Sequence, residues 1–180
     1  VDFATASAMS GGGQSDYDFG RAYRGSAVSL CWCAGPSCNQ ESADLADFNI
    51  HAGSLHINGP YGKADTECAA GRPCSATLQG TGLADHDDIV VVSTTQCSLS
   101  SPAASGTAVT DLFIDMANDP NDTKVDSARQ ISGTYSLGEA RYGGSFYLCW
   151  CTGTSCDPAS QLQMFNVYGG QLTITGPKRN

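Results

Sequence analysis

Three cysteines, a tryptophan and a glycine recur with the same spacing at two places in this sequence of 180 residues. The first block, residues 31–38, reads CWCAGPSC, and the second, residues 149–156, reads CWCTGTSC. Thiols this close together can form disulfides, bind a metal ion as thiolates, or carry out redox exchange. No histidine lies in either block, structural zinc sites favour other spacings, and the Cys-x-x-Cys motif of redox proteins does not occur. The blocks therefore predict disulfide bonds.

The chain has nine cysteines, so at least one thiol must remain without a partner in the same chain. Six of them lie after residue 60, enough for three bridges whose pairing the sequence leaves open. Short loops make Cys33–Cys38 and Cys151–Cys156 plausible pairs. This density of cysteines indicates an oxidising compartment. The candidate disulfide cysteines are Cys31, Cys33, Cys38, Cys68, Cys74, Cys97, Cys149, Cys151 and Cys156.

Short apolar strands must position these blocks. Residues 28–32 and 146–150 alternate, so that Trp32 shares a face with Leu30, and Trp150 shares a face with Leu148. We therefore expect Trp32 and Trp150 to be core residues. The cysteines beside each tryptophan should point away from that core and staple the outer face.

The similarity continues beyond the cysteine blocks, which indicates an internal duplication with a period of about 117 residues. A Phe-Asn pair and a second apolar stretch follow each block, and both copies close with Gly-Pro at residues 59–60 and 176–177. Between them lie further short strands separated by turn signals, which favours an all-β fold of β-sandwich modules. Residues 61–180 should form one complete module and residues 1–60 a partial one that has only the closing strands.

Residues 74–83, followed by the apolar run at residues 88–92, resemble the opening segment of immunoglobulin-like modules of the IPT/TIG kind. The Cys-Trp-Cys block with its terminal Gly-Pro is similar to cysteine-rich tandem repeats in large secreted or surface proteins of alveolate protists. The likeness covers residues 61–177 in full and 21–60 in part, although plain IPT/TIG modules lack Cys68 and Cys74. It implies an extracellular structural or adhesive repeat.

Polar loops supply the remaining candidate sites. Asn121 begins an N-glycosylation sequon, Asn-Asp-Thr. Carboxylates of Asp115, Asp119 and Asp122 in the same loop, and a second acidic loop at residues 85–88, are weak candidates for calcium ligands, but neither follows the EF-hand spacing. We expect no other metal or cofactor. We find no catalytic Ser-His-Asp constellation, nucleophile elbow or phosphate loop, so the sequence predicts that the protein is not an enzyme.

The net charge of −9 argues against nucleic acid or an anionic membrane surface as a partner, and the longest apolar run is too short to span a bilayer. These features predict a secreted or cell-surface structural protein, such as the subunit of a self-assembling filament, appendage or coat. The alternative is an adhesin or lectin that binds glycans through its loops.

The partial module would expose backbone edges and one side of a core. Its opening strands could lie upstream, the half-module could pack on the complete one, or a neighbouring copy could complete it. We expect the last arrangement, a head-to-tail contact between identical chains that generates a filament.

Overall fold

The computed structural model describes an all-β protein stapled by disulfides, as the sequence predicts. It describes residues 7–9, 16–19, 22, 24–33, 47–62, 64–85, 87–94, 97, 109, 111–114, 127–131, 134–153, 156 and 161–179. The predicted sites at Cys38, Asp115, Asp119, Asn121 and Asp122 lie outside these residues. Within them there is no α-helix, and the longest helical segment is a 3-10 turn at Leu162–Met164.

The N-terminal strands form small pairs, and the later strands form one large sheet. The first five strands are β1 (Ser7–Met9), β2 (Asp16–Asp18), β3 (Ser26–Trp32), β4 (Ile50–Ile57) and β5 (Gly59–Pro60). The next five are β6 (Ala64–Ala69), β7 (Pro73–Ala76), β8 (Gly80–Thr81), β9 (Asp88–Val92) and β10 (Phe113–Ile114). The last four are β11 (Ser127–Ile131), β12 (Thr134–Ala140), β13 (Gly144–Cys151) and β14 (Val167–Thr175). Strand β1 pairs with β2, β3 with β4, and β5 with β8.

The eight-stranded sheet folds over itself into a sandwich. Its order is β10-β12-β11-β9-β13-β14-β6, and β7 adds to β12. Strand β11 joins the two layers, because its first residues pair with β9 and its last two pair with β12. One layer therefore contains β9, β13, β14 and β6, and the other contains β7, β12 and β10. All pairs are antiparallel except β14 with β6.

The main core lies between these two layers. Alternation on β7 buries Cys74 and Ala76, and alternation on β12 buries Tyr135 and Leu137. The opposite layer contributes side chains that include Ile89, Val91, Phe146, Leu148, Trp150, Leu172 and Ile174. Strand β9 is buried along its whole length, as expected for the apolar run at its centre.

Candidate functional site: an uncovered hairpin

The two copies of the Cys-Trp-Cys motif form hairpins with the same register. In the β3–β4 hairpin, seven cross-strand pairs run from Ser26↔Ile57 to Trp32↔Ile50. In the β13–β14 hairpin, seven pairs run from Gly144↔Ile174 to Trp150↔Val167. Each hairpin has one irregularity, and it falls at the same step, immediately before the first cysteine of its motif. The local sequence therefore determines the geometry of both hairpins.

Matched glycines explain this shared geometry. Opposite the irregularity stand Gly53, with φ 144°, and Gly170, with φ 149°, a conformation that favours glycine. Each hairpin is also closed at its base by an equivalent backbone hydrogen bond. The Gly25 N–H donates to the Pro60 carbonyl at 2.8 Å, and the Gly143 N–H donates to the Pro177 carbonyl at 2.7 Å.

The two hairpins differ in their neighbours. Strand β13 has β9 along its outer edge, and β14 has β6 along its own. In the part of the chain that the structure describes, β3 and β4 pair only with each other. Strand β3 therefore presents the edge that β9 occupies in the other hairpin, and β4 presents the edge that β6 occupies.

Burial differs in the same way. Trp150 is 2% exposed, whereas Trp32, at the same position of its hairpin, is 45% exposed. The prediction that both tryptophans lie in a core is therefore wrong for Trp32. Ile50, directly opposite Trp32, is 46% exposed, and the nearby Phe48 is also exposed. The β3–β4 hairpin thus exposes large apolar side chains on a surface whose counterpart is a packed core.

The cysteines show what the β3–β4 hairpin lacks. Disulfides join Cys68 to Cys74, Cys97 to Cys149, and Cys151 to Cys156. Cys33 is also disulfide-bonded, and the predicted pairing with Cys38 lies outside the described residues. Cys31 is free and exposed, so its assignment as a disulfide cysteine is wrong within this chain. The odd number of cysteines required one free thiol, but the sequence alone did not identify which one.

The disulfides beside Trp150 do face away from the main core, but they are not on an open surface. Cys97, Cys149, Cys151 and Cys156 are each at most 5% exposed and form a second buried cluster with neighbours that include Phe165. Val90 and Val92 on β9 complete that cluster. The expectation of an outer-face staple is therefore corrected, because both faces of the β9–β13 pair are covered.

A close backbone crossing attaches the uncovered hairpin to the sandwich. Strand β4 continues into β5, which pairs with β8, so Gly59 lies opposite Thr81 and Pro60 opposite Gly80. A Cβ atom added to Gly80 of β8 would lie 2.3 Å from the Gly59 carbonyl oxygen, which leaves no room for any side chain there. The end of the hairpin is thus held by direct backbone contact between β5 and β8.

The acidic loop at residues 85–88 has a structural role in its described part. Asp87 is 1% exposed, and its Oδ2 accepts a hydrogen bond from the Ala84 N–H at 2.8 Å, which closes a turn. Burial, and then the negative charge of Asp87, raises the pKa of Tyr135 above its ordinary range. No group of three potential metal ligands occurs among the described residues. The calcium candidates in the other loop, like the sequon at Asn121, lie outside the described part.

No protein-family model, curated protein or solved structure matches this chain. No helix in the described residues is long and apolar enough to cross a membrane. The candidate functional site is therefore the uncovered β3–β4 hairpin, with its open strand edge, its exposed apolar residues and its free thiol.

Proposed function

We propose that this chain is an extracellular structural protein, a building block of a filament, appendage or surface coat, and that the β3–β4 hairpin joins it to a neighbouring polypeptide. The proposal rests on one observation. The hairpin has the register of β13–β14, yet Trp32 is 45% exposed where Trp150 is 2% exposed. Exposed apolar surface next to an unpaired strand edge is typical of an assembly contact.

The disulfides support the extracellular part of this proposal. Three bridges are present among the described cysteines, and bridges of this density form and persist in oxidising compartments. We propose no catalytic role for the acidic loop at residues 85–88, because Asp87 is buried and closes a turn.

Hydrogen exchange on native material tests the proposal directly. In the isolated chain, amides of β3 and β4 should exchange faster than their counterparts in β13 and β14, since one edge of each strand is open. In assembled material, protection of the two hairpins should become similar. If β3 and β4 exchange equally fast in both samples, the hairpin is not the assembly contact and the proposal fails.

Light scattering on the isolated chain under oxidising conditions then identifies the kind of neighbour. Open-ended growth would mean that identical chains suffice, as the head-to-tail prediction requires. In that case Ile50→Lys should block growth, because it places a charge in the exposed apolar surface, whereas Thr77→Lys, at an exposed site of the complete module, should not. A monodisperse monomer would mean that the neighbour has a different sequence.

The exposed aromatic residues favour one alternative function, glycan binding by an adhesin or lectin. Trp32, Phe48 and Tyr61 are all exposed, and aromatic faces are a common platform for sugar rings. Specific binding of the isolated chain on a glycan array, lost in Trp32→Ala, would support this alternative. Absence of binding would leave assembly as the explanation for these residues.

A further inference from the structure

The free thiol has an exact structural counterpart in the same chain. Cys31 directly follows the irregularity of β3 and lies opposite His51, and Cys149 directly follows the irregularity of β13 and lies opposite Tyr168. Cys149 is bonded to Cys97. The β13–β14 hairpin therefore shows what the position of Cys31 is built to contact.

One continuous segment covers the β13 edge and supplies the bonded cysteine. Strand β9 pairs with β13 from Tyr147↔Val92 to Cys151↔Asp88. Its Ile89 and Val91 enter the main core, and its Val90 and Val92 enter the disulfide cluster. Cys97 follows shortly after the strand, with its Cα 5.4 Å from that of Cys149. A strand of β-branched residues followed by a cysteine thus makes three contributions: backbone pairing at the edge, side chains for the clusters on both faces of the sheet, and the thiol for the disulfide.

Among the described residues, the β3–β4 hairpin lacks all three of these contributions, and those of a second copy hold no spare set. Every described cysteine other than Cys31 is disulfide-bonded. The chain's own β9 is already paired with β13 and β11, and Cys97 is bonded to Cys149. The described residues therefore hold no second segment of this kind, and the segment that would cover β3 lies outside them.

Resting on the assembly function proposed above, we propose that β3 is an acceptor for a β9-like strand from a different polypeptide, and that Cys31 forms a disulfide with a cysteine shortly after that strand. The partner strand runs antiparallel to β3, as β9 does to β13. Its apolar side chains lie beside Trp32 in the sheet, as Ile89 of β9 lies beside Trp150. The partner is thus defined by a β-branched strand and an unpaired cysteine about five residues beyond it.

The covalent step is a thiol–disulfide exchange. The partner cysteine arrives as a mixed disulfide with a small thiol such as glutathione. The Cys31 thiolate attacks the partner sulfur, a new sulfur–sulfur bond forms, and the bond to the small thiol breaks. The small thiol leaves as a thiolate and takes up the proton that Cys31 lost, so that no further oxidant is needed.

The chain's own β9 segment is a usable probe for this acceptor. A synthetic peptide of residues 87–99, with its cysteine as the glutathione mixed disulfide, is added to the full chain. The control peptide carries proline in place of Val90 and Val92, which prevents strand pairing but keeps the reactive cysteine. We expect the strand peptide to modify Cys31 about tenfold faster than the control, and the Trp32 fluorescence to shift to the blue as an apolar neighbour reduces the exposure of its ring.

Two variants separate pairing from simple thiol reactivity. Cys31→Ser should lose the covalent product but keep the fluorescence shift at high peptide concentration. Trp32→Phe should keep the product but lose the shift. Equal rates for the two peptides would show that Cys31 is merely an accessible thiol, and a dominant Cys31–Cys31 product would show that the partner is a second copy. Either result overturns this inference, whereas the hydrogen-exchange experiment tests the assembly function independently.

Discussion

The two tryptophans provide a matched test of whether the hairpins differ as the structure shows. Trp150→Ala and Trp32→Ala make the same truncation at the same position of hairpins with the same register. Trp150 is 2% exposed and contacts the main core, whereas Trp32 is 45% exposed. Any difference in the cost of the two substitutions therefore reports the difference in what surrounds each ring.

The magnitude follows from burial. A tryptophan side chain that is fully buried removes about 200 Å² from water, so the difference in exposure between the two rings is worth about 2 kcal/mol. Only the enclosed site also leaves a cavity. We therefore expect Trp150→Ala to lower the free energy of unfolding by about 3–5 kcal/mol, as large core truncations do, and Trp32→Ala to lower it by about 1–2 kcal/mol.

Urea unfolding monitored by far-ultraviolet circular dichroism measures both costs, because that signal comes mainly from the backbone and remains usable in either variant. The midpoint should fall clearly for Trp150→Ala and only slightly for Trp32→Ala. Equal costs would refute the reasoning, since they would mean that Trp32 is covered in the isolated chain. A cost below about 1 kcal/mol for Trp150→Ala would show that its ring is not packed as described.

The remaining predictions concern the disulfides and one buried tyrosine. The Cys97–Cys149 bridge spans 52 residues and the Cys151–Cys156 bridge spans 5. Replacing Cys97 and Cys149 with alanine should therefore lower the free energy of unfolding in urea by about 2 kcal/mol more than replacing Cys151 and Cys156. Equal losses would contradict the chain-entropy argument. Because the folded pKa of Tyr135 is raised, its contribution to stability is complete below the unfolded pKa of about 10 and is lost as pH rises above it. With the free thiol blocked, the free energy of unfolding should therefore fall less steeply above about pH 10 in Tyr135→Phe than in the unsubstituted protein. The two slopes should differ by about 1.4 kcal/mol per pH unit, and parallel pH profiles would contradict this.

The sequence predicted the local structure well because that structure depends on short-range patterns. A continuous apolar run identified β9, and alternation identified the strands that carry both Cys-Trp-Cys motifs. The close spacing of Cys151 and Cys156 made their disulfide plausible. The segment that begins at Cys74, which carries the likeness to immunoglobulin-like modules, likewise contains a strand, β7, whose Cys74 and Ala76 alternate with exposed residues. Each of these features is determined by neighbouring residues.

The environment of each strand could not be predicted in the same way. Alternation assigns Trp32 and Leu30 to one face, but it does not say whether another layer covers that face. It also could not show that Phe165 and the disulfides bury the far side of β13. For the same reason, the sequence could not show which cysteine is free. Cys31 and Cys149 occupy the same position of their hairpins, and only Cys149 has a β9 strand beside it.

A complete module needs one closing hairpin and one opening half, and the numbers of these two parts limit how identical chains could assemble. The described residues contain two closing hairpins, β3–β4 and β13–β14, and one opening half, which contains β9 and Cys97. If identical chains exchanged opening halves, every half would still fill one hairpin, and one hairpin per chain would stay open. Strand exchange confined to these residues can therefore move the vacancy but cannot fill it. An assembly in which every hairpin is covered needs a second source of opening strands, from a further stretch of the same polypeptide or from another one, or a contact that buries the β3–β4 hairpin without inserting a strand.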